Sequence, residues 1–564
     1  KEEDKLIVGL DMGGTHIDAV LIDQGEIIKA TKRPTDRSNM LESILDTLET
    51  LLYGQDPSQI ERINLSTTIS TNAIVENKTD PVGMIIECGP GLDNDFLRCG
   101  RENIFISGYI DHRGREVSPI RIEEIKEAVR TFKDQSISAL AVVGKFSVRN
   151  GDHELKIFDL LKDEFFPVTL GHTLSGKLNF PRRVFTAYYN SAVYNTYQKF
   201  CESIQRAMQK ENIKAPVYVL KADGGTMSIT ASRQFPVNTI LSGPAASIMG
   251  GQAFLKTSQD AIFLDIGGTT TDISFLAEGV PLLEPLGIKI AGYPTLVRAL
   301  FSVSIGVGGD SKVRVEDQKL AIGPERLDRP KALGGKCATP TDAMIVLGLL
   351  DIGDRNKAFL AMKEIGDKLN LSAEAAAKMV LDQMVHMIYV KVDELLSDLN
   401  SRPVYTVREL LYGKKIKPKL VQVIGGPAQA LAPIIAEKFS LPCSYPKLYE
   451  AANAVGAALA RPTSEITMYV DTAQGTLSVP EMGLYERVSS SYSLEDAKKR
   501  VTALIKEQAK QLGARDDEIQ AELVEESSFN IVRGFYSSGK NIRVRAQIKP
   551  GLIYRLWSDE NAGS

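Results

Sequence analysis

The sequence predicts an α/β protein with two similar domains and a small α+β appendage at its C-terminal end. The motif L-D-x-G-G-T-x-x-D occurs twice, at residues 10–18 and 264–272. The two copies are 254 residues apart, a domain-sized spacing that indicates two related domains rather than a solenoid. A third glycine-rich turn, Gly425-Gly426-Pro427, follows the apolar run 420–424 and precedes a predicted helix.

The composition is that of an ordinary soluble globular protein, with 43% hydrophobic and 24% charged residues in 564. A net charge of -4 provides no basic patch, so we do not expect nucleic acid as a ligand. No apolar run approaches the length of a membrane span, and no signal-peptide pattern precedes the first strand. Five cysteines without a C-x-x-C pair favour reduced thiols in a cytoplasmic protein and disfavour a cysteine zinc site.

Each copy of the repeated motif predicts a β-hairpin with a polar tip. An apolar run precedes each motif and another follows it, so the chain turns on two glycines between strands. Glycines let the backbone approach a ligand closely, and successive N–H groups at such a turn can bind an anion. The Asp at each strand end can hold hydrated Mg²⁺ or orient a water molecule. Two such tips could clamp one nucleotide phosphate chain between two domains, whereas a single copy would suit an ordinary glycine-rich hairpin.

The first part of the chain begins with three strands within residues 5–33 and an amphipathic helix at 39–53. A buried strand at 63–66 leads into a hydroxyl-rich turn at 67–74 that opens a helix. Free N–H groups and Thr side chains at a helix start suit anions, although a simple N-cap explains the same residues. Residues 80–175 are predicted to be an α/β insertion.

A long helix is predicted from Pro181 to about Lys210, and it carries four tyrosines. Aromatic residues at this spacing are more typical of a core than of a binding site. The pattern then repeats, with a strand at 217–220 ending in the turn Asp223-Gly224-Gly225 and a small-residue helix after 239–247.

Further glycine-rich and helical segments follow the second motif copy. The loop 306–311 contains Gly308 and Gly309, a helix starts at 339–343, and residues 355–401 are mainly helical. After Pro462 the composition changes, and residues 466–564 predict an α+β domain. Its helix begins with a capping-box pattern at Ser493, and its strands include 467–472, 528–533 and 541–548. We therefore divide the chain at 1–195, 196–465 and 466–564.

The ordered series of motifs resembles the actin, Hsp70 and sugar-kinase ATPase superfamily. More narrowly, it resembles the hydantoinase/oxoprolinase family, in particular its hydantoinase A-type subunit. The resemblance covers roughly residues 5–460, and the matching stretches lie at 10–18, 66–73, 223–225, 241–246, 264–272, 306–311, 340–343 and 425–427. The last hundred residues look like the tail of a shorter branch of that family.

The resemblance implies two actin-like (ribonuclease H-like) domains with ATP in an interdomain cleft, the second domain carrying the adenosine-binding turn. It also implies ATP-dependent opening of a cyclic amide, such as a hydantoin or 5-oxoproline, through phosphorylation of the carbonyl oxygen. Asp11 and Asp265 would be catalytic and would organise Mg²⁺. The implied ATP-binding residues are Gly13, Gly14, Thr15, Gly267, Gly268, Thr269, Thr270, Gly308, Gly309, Gly425 and Gly426. Substrate-side candidates are Thr67, Thr68, Thr71, Asn72, Asp223 and Gly224.

The chain departs from the family pattern at two places. Larger members have Asp-x-His before the glycine-rich loop, where this chain has Phe301 and Val303. Larger members often have Asn where this chain has Asp223. Only five histidines occur, and none forms a convincing ligand pair. A metal or ring-handling role of those family residues is therefore absent or rebuilt here, and the substrate is left open.

Three functions stay open at this stage. The leading hypothesis is a cyclic amide hydrolase that works with a hydantoinase B-type partner subunit. The alternatives are a small-molecule kinase or carboxylase-type activator of the same superfamily and a non-catalytic, ATP-gated regulatory protein. We expect no membrane partner, and self-association into a homo-oligomer is left open.

Overall fold

The computed structural model describes residues 6–92, 94–255, 257–284, 286–325, 327–401, 415–446, 448–533, 536–556 and 562–563. The chain forms two compact units. Unit 1 comprises Lys1–Ala245, Glu284–Ala299 and Ala457–Ile553, and unit 2 comprises Ala246–Leu283, Leu300–Gly456 and Tyr554–Ser564. The domain boundaries expected above stay predictions.

The first part of the chain alternates strands and helices. Its strands are β1 (Leu6–Met12), β2 (His16–Asp23), β3 (Glu26–Pro34), β4 (Ile60–Thr67), β5 (Val82–Glu87), β6 (Glu102–Phe105), β7 (Tyr109–Ile110), β8 (Glu116–Ser118), β9 (Ala139–Gly144), β10 (Val168–Leu170), β11 (Val217–Leu220) and β12 (Thr226–Ser228). Its helices are α1 (Met40–Leu52), α2 (Ile69–Val75), α3 (Ile122–Asp134), α4 (Asp152–Leu161), α5 (Gly171–Leu174), α6 (Phe180–Lys210), α7 (Ile229–Gln234) and α8 (Ser242–Phe254).

The main sheet of unit 1 has the strand order β12-β11-β4-β1-β2-β3. Strands β1, β2 and β3 run antiparallel as two successive hairpins, and β4 and β11 lie parallel to β1. Every residue of β1 is buried, which explains its nearly continuous apolar sequence. The register places Asp11 beside Asp18 on one side and beside Ser66 on the other.

Two further features of unit 1 follow the sequence pattern. Strands β10, β9, β5 and β6 form a separate parallel sheet within the region expected to be an α/β insertion. The long helix α6 buries Tyr189 and Tyr197, whose hydroxyl groups donate to Ile290 O and Ser232 Oγ at 2.8 Å each. These two tyrosines are core residues.

The middle part of the chain supplies most of unit 2. Its strands are β13 (Ala261–Ile266), β14 (Thr271–Ala277), β15 (Val280–Pro281), β16 (Lys289–Ile290), β17 (Tyr293–Pro294), β18 (Val303–Ile305), β19 (Val313–Glu316), β20 (Lys319–Ile322), β21 (Leu420–Ile424) and β22 (Cys443–Pro446). Its helices are α9 (Pro340–Val346), α10 (Arg355–Leu369), α11 (Ala373–Ser401), α12 (Ala428–Phe439) and α13 (Ala452–Leu459).

The main sheet of unit 2 repeats the arrangement seen in unit 1. Strands β13 and β14 form an antiparallel hairpin, β18 pairs with the outer side of β14, and β21 and β22 lie parallel to β13. A hairpin followed by two parallel strands therefore occurs in both units. The prediction of two related α/β domains is confirmed at the level of topology.

The C-terminal part of the chain is α+β. It contains β23 (Ser464–Asp471), β24 (Thr476–Val479), β25 (Leu484–Arg487), α14 (Leu494–Gln511), β26 (Ala521–Arg533), β27 (Tyr536–Ile548) and β28 (Ala562–Gly563). Strands β25, β24, β23, β27 and β26 form an antiparallel sheet, and one face of α14 packs on it through Val501 and Ile505. The predicted capping box joins Ser493 and Asp496. Across the residues that the structure describes, no helix is long and apolar enough to cross a membrane.

Candidate functional site

The glycine tip of unit 1 is a tight turn between β1 and β2. The N–H group of Gly13 donates to His16 O at 3.0 Å, which closes the turn directly after Met12. Asp11 is 8% exposed, and its Oδ1 accepts a hydrogen bond from the Ser66 hydroxyl on the neighbouring strand β4. The hydroxyl group fixes the orientation of the carboxylate at the carboxyl end of β1, where open α/β sheets bind ligands.

A pocket of 250 Å³ adjoins this tip. It contains the predicted site residues Gly13, Gly14, Thr67, Thr68 and Asn72, and it also contains Arg37. The Asn72 amide donates to Thr68 Oγ1 at 3.0 Å. The Arg37 guanidinium donates to Gly14 O at 3.0 Å and forms an ion pair with Glu76. The structure therefore brings the first tip and most of the hydroxyl-rich turn together in one pocket, whose lining also includes Met12 and Met40.

Two predicted site residues of unit 1, Thr15 and Thr71, do not line this pocket. Thr15 is exposed at the tip, and its hydroxyl lies 3.1 Å from Nδ1 of His16. The Thr71 hydroxyl accepts the backbone N–H of Leu241 at 3.0 Å. Thr71 thus holds the segment before α8, whereas Asn72, the next residue, faces the pocket.

The glycine tip of unit 2 has the same local geometry. The N–H group of Gly267 donates to Thr270 O at 2.9 Å, and Asp265 lies beside Asp272 in the hairpin. The Ser247 hydroxyl of α8 lies 2.5 Å from Oδ2 of Asp265 and 3.0 Å from Oδ1 of Asn453. Each tip therefore has an Asp at the strand end that bonds to a serine hydroxyl.

The second glycine-rich loop packs directly against this tip. Gly309 N donates to Gly267 O at 2.9 Å, and Asp310 N donates to Gly268 O at 2.6 Å. A Cβ atom at Gly308 would lie 2.6 Å from Gly267 O, so the approach of the two backbones requires glycine there. Thr341 of α9 holds the loop, because its N–H and hydroxyl groups both donate to Gly309 O at 2.8 Å.

The remaining tip residues differ in exposure. Thr269 is half-buried and Thr270 is exposed at the turn of unit 2. Burial raises the pKa of Asp272, the last residue of the motif, and a hydrogen bond from Ser304 partly offsets this effect. Asp265 and Asp272 are thus neighbouring carboxylates that each bond to a serine side chain, Ser247 and Ser304 respectively.

The turn Gly425-Gly426 begins immediately after β21, which is the neighbour of β13. Gly425 has a φ of +95°, and a Cβ atom there would overlap the carbonyl oxygen of Ile266. A Cβ atom at Gly426 would meet nothing within 4 Å among the described residues. Gly425 therefore meets a requirement of the fold, whereas the space beside Gly426 is open to a ligand.

Asp223 and Gly224 occupy a different place in unit 1. Gly224 turns the chain with a φ of +79°, and Asp223 is 2% exposed. The Asp223 carboxylate accepts the Thr463 hydroxyl at 2.9 Å and lies 3.3 Å from Lys221 Nζ and 3.7 Å from an Arg298 nitrogen. Burial alone would raise the pKa of Asp223, but these two cations hold it below its usual value.

This ion cluster borders a cavity of 100 Å³ that also contains Glu465 and Glu481. Burial and the nearby charge of Glu465 raise the pKa of Glu481 to about 7, although the N–H groups of Thr467 and Gly176 donate to it. The cavity is distinct from the pocket at the tip. The structure therefore separates the substrate-side candidates into two places.

Several residues of the site were not predicted as site residues from the sequence. They are Arg37, Ser66, Ser247, Arg298, Asp310, Thr341 and Asn453. Ser66, Asp310 and Thr341 lie inside the motif stretches 66–73, 306–311 and 340–343, but no spacing assigned these contacts to them. The other four contact the motifs through tertiary packing, so no local spacing marks them.

Phe301 and Val303, which stand where larger family members have Asp-x-His, are apolar and packed. Phe301 is 4% exposed, and its ring centroid lies 6.0 Å from that of Phe275. Val303 lies on β18 beside Ile273. Within the described residues, no group of three or more His, Cys, Asp or Glu side chains could hold a metal ion.

Comparisons with known proteins agree on one family. The Hydantoinase/oxoprolinase model matches residues 183–466, and the model of the Hydantoinase/oxoprolinase N-terminal region matches residues 7–165. The alpha subunit of caprolactamase from Pseudomonas jessenii is 27% identical over 426 residues, which are 66% of this chain and 60% of that protein. 5-Oxoprolinase 1 of Arabidopsis thaliana is 23% identical over 520 residues, which are 78% of this chain and 40% of that protein.

The fold is shared with two solved enzymes. The ATP-dependent caprolactamase from Pseudomonas jessenii has a TM-score of 0.71 at 19% identity, and the match covers 96% of this chain and 87% of that chain. Nucleotide-free acetone carboxylase has a TM-score of 0.67 at 17% identity, and the match covers 96% of this chain and 88% of that chain. These matches confirm the predicted fold class, with actin-like domains.

The chain matches only part of the length of these two relatives. The chain spans 60% of the caprolactamase subunit and 40% of the plant 5-oxoprolinase. The two family models nevertheless cover most of the chain in the expected order. The chain belongs to the hydantoinase/oxoprolinase family.

Proposed function

We propose that this chain is the ATP-binding subunit of an enzyme that opens cyclic amides at the expense of ATP. Family membership supports the reaction class, since two relatives carry the names caprolactamase and 5-oxoprolinase. The observation that carries the proposal is the repeated tip, with two glycines and an adjacent Asp that bonds to a serine hydroxyl in both units.

The proposed reaction begins with transfer of the γ-phosphoryl group of ATP to the carbonyl oxygen of the cyclic amide. Water then adds to the activated carbon, and the C–N bond breaks so that the nitrogen leaves as an amine and an acyl phosphate forms. A second water molecule hydrolyses the acyl phosphate. The products are a ring-opened amino acid, ADP and phosphate, so each ring opened consumes one ATP and two water molecules.

In this proposal the tips bind phosphate through backbone N–H groups. Phosphoryl transfer depends chiefly on positioning and charge stabilisation, and glycine turns allow the backbone to reach phosphate oxygens. The Gly425-Gly426 turn binds the adenosine side of ATP, because the space beside Gly426 is open. The loop that contains Gly308 and Gly309 stabilises the conformation of the second tip.

Asp11 and Asp265 fit a role in holding Mg²⁺. Both are carboxylates at strand ends beside a glycine tip, and hard oxygen ligands suit this ion. When bound, Mg²⁺ would neutralise charge on the phosphates. The serine hydroxyls of Ser66 and Ser247 keep the two carboxylates in one orientation for that purpose.

For the cyclic amide we propose the 250 Å³ pocket beside the first tip. It joins Gly13 and Gly14 to the polar groups of Thr68, Asn72 and Arg37, which can bind an amide and a carboxylate. Asp223 does not line this pocket, and its carboxylate is engaged by Lys221 and Thr463. We therefore give Asp223 and Gly224 a supporting role in unit 1.

A carboxylase-type or kinase activity is the second candidate. The gamma subunit of acetophenone carboxylase from Aromatoleum aromaticum is 25% identical over 395 residues, which are 53% of that protein. The same phosphate-binding tips would serve phosphorylation of an enol or a small acid. This candidate predicts a stable phosphorylated or carboxylated product, whereas the cyclic amide hydrolase predicts a ring-opened one.

The partner proposal rests on the names of these relatives. Caprolactamase subunit alpha and the acetophenone carboxylase gamma subunit are both parts of multi-subunit enzymes. We propose that this chain acts with a hydantoinase B-type subunit. A non-catalytic, ATP-gated protein would instead bind ATP without any response to cyclic amides.

The test is an assay of phosphate release with ATP, Mg²⁺, a panel of lactams and hydantoins, and the partner subunit. We expect at least one cyclic amide to stimulate phosphate release and to be recovered in ring-opened form. Asp265→Asn should abolish the stimulation. No stimulation by any lactam or cyclic imide would refute the proposal.

A further inference from the structure

A polar pocket of 270 Å³ lies in unit 1 away from the tip residues. Its walls come from the turn between β7 and β8, the residues just before α4, and strands β23, β24 and β25. None of these segments carries a residue of the proposed ATP or cyclic amide sites. A ligand of this pocket would therefore be additional to both substrates.

The pocket contains the guanidinium group of Arg149. This group stacks on the Tyr469 ring, with 4.0 Å between the guanidinium carbon and the ring centroid. Its Nε is buried and, like the Nε atoms of Arg183 and Arg543, has no hydrogen-bond partner among the described residues. Asp471, the carboxylate whose charge acts on Arg149, is paired with Arg113. Arg149 is half-buried, and a cation that loses part of its hydration normally has an anionic or hydrogen-bonding partner, because desolvation is costly.

Two other arginines of unit 1, Arg183 and Arg113, do have such partners. Arg183 is fully buried and donates to the carbonyl oxygens of Gly144 and Lys145 at 2.8 Å each. Arg113, on the wall of the same pocket, forms a bidentate ion pair with Asp471, with hydrogen bonds of 2.7 and 2.9 Å. Arg149 differs from both in that the contact shown for its guanidinium group is with the face of the Tyr469 ring.

The carboxylates of the pocket do not neutralise Arg149. Asp471 is engaged by Arg113, and Glu486 pairs with Arg500 at 3.0 Å. The third carboxylate, Asp152, is exposed at the start of α4. Burial lowers the pKa of Arg149, but the nearby charge of Asp471 opposes this, and an arginine stays charged at neutral pH.

We propose that this pocket binds a small organic or inorganic anion through Arg149. The ligand class is a carboxylate or phosphate group of metabolite size, because a guanidinium fork matches both anions. The side chains of Asn150, Gln474 and Thr476 in the pocket wall supply further polar contacts. The proposal is independent of the reaction at the tips.

The experiment is isothermal titration of the full chain with inorganic phosphate and, separately, with succinate. Comparison of the two probes decides whether phosphate or carboxylate is preferred. We expect one of them to bind, and Arg149→Gln to weaken that binding about tenfold or more. The matched control is Arg543→Gln, which removes another guanidinium stacked on Tyr469, 5.6 Å from its centroid, but lies outside the pocket wall.

A second variant keeps the test valid if Arg149→Gln fails to fold. Gln474→Glu leaves Arg149 in place and adds a carboxylate to the pocket wall, so it should also remove anion binding. The proposal is overturned if neither probe binds the wild-type chain. It is also overturned if binding survives Gln474→Glu or Arg149→Gln, or if Arg543→Gln weakens binding as much as Arg149→Gln does.

Discussion

The Ser247 hydroxyl lies 2.5 Å from Oδ2 of Asp265, and a serine hydroxyl, that of Ser66, also bonds to Asp11. Each serine reaches its aspartate from a neighbouring element, α8 in one case and β4 in the other. The paired arrangement indicates that both carboxylates must keep one orientation. It is the most specific feature that the two units share beyond their topology.

Ser247→Ala should therefore lower kcat without a comparable change in the KM for ATP. A hydrogen bond to a charged group contributes about 1.5–3 kcal/mol, so we expect a decrease of about tenfold or more. The measurement is the steady-state rate of phosphate release with partner subunit and cyclic amide.

The matched control for Ser247→Ala is Ser274→Ala. Ser274 is 2% exposed on β14, and its hydroxyl has no hydrogen-bond partner in the part of the chain that the structure describes. Removing that hydroxyl should leave kcat and the free energy of unfolding nearly unchanged. Equal losses in both variants would show that Ser247 has no special relation to Asp265.

The two glycines after β21 should respond differently to substitution. Gly426→Ala should leave the melting temperature unchanged, because no described atom lies within 4 Å of the new Cβ. If ATP occupies that space, the added methyl group should weaken ATP binding about tenfold, since overpacking costs about 1–3 kcal/mol. Calorimetric titration with ATP measures this effect, and unchanged affinity would remove Gly426 from the nucleotide site.

Gly425→Ala should instead destabilise the fold. Its φ of +95° disfavours any side chain, and the new Cβ would overlap Ile266 O. We expect a lower melting temperature in thermal unfolding followed by circular dichroism. A Gly425→Ala variant as stable as wild type would mean that the turn can move away from β13.

Motif reading predicted the backbone of the site much better than its side-chain partners. The tips at Gly13 and Gly267 were predictable because a strand, two glycines and a strand have local signatures. The partners Ser66 and Ser247 were not, because strand pairing and helix packing bring them to Asp11 and Asp265. Such contacts depend on tertiary structure, which one sequence does not encode at any fixed spacing.

The burial of Asp223 also could not be predicted from the local sequence. An Asp before two glycines is typical of an exposed turn, and the family resemblance implied that Asp223 is a substrate-side candidate. The structure buries it because Thr463 and Arg298, which are far away in sequence, close over it. The family roles of the site residues stay predictions until the variants are measured.

The hydroxyl-rich turn gives a prediction about substrate binding. Asn72→Ala removes an amide from the pocket beside the first tip and should raise the KM for the cyclic amide about tenfold, as expected for loss of one or two hydrogen bonds. Thr71→Val removes the hydroxyl that holds Leu241 N–H and should lower the melting temperature instead. An unchanged KM in Asn72→Ala would place the substrate elsewhere.

The buried Glu481 should make stability depend on pH. Its pKa is raised from 4.5 to about 7 in the folded chain, chiefly by burial, so the folded chain retains a proton that the unfolded chain loses. Stability is therefore lost as pH rises from about 4.5 to about 7. Relative to wild type, Glu481→Gln should gain up to about 3 kcal/mol in free energy of unfolding between about pH 4 and about pH 8.

Glu465→Gln is the control, because the pKa of Glu465 is shifted in the opposite direction to that of Glu481. Burial alone would raise the pKa of Glu465, but Lys177, Arg298 and Arg545 lower it overall. The stability that this carboxylate contributes is present above its unfolded pKa of 4.5 and is lost as the pH falls. Urea unfolding at several pH values measures both variants, and parallel pH profiles for wild type and Glu481→Gln would contradict the raised pKa.

The most direct test of the central claim is the stoichiometry of the reaction. The chain and its partner subunit are incubated with ATP and the cyclic amide that best stimulates phosphate release, and ADP, phosphate and the organic product are quantified together. We predict one ring-opened amino acid for each ADP and each phosphate. ADP formed together with a stable phosphorylated or carboxylated product, and no ring-opened amino acid, would contradict the account.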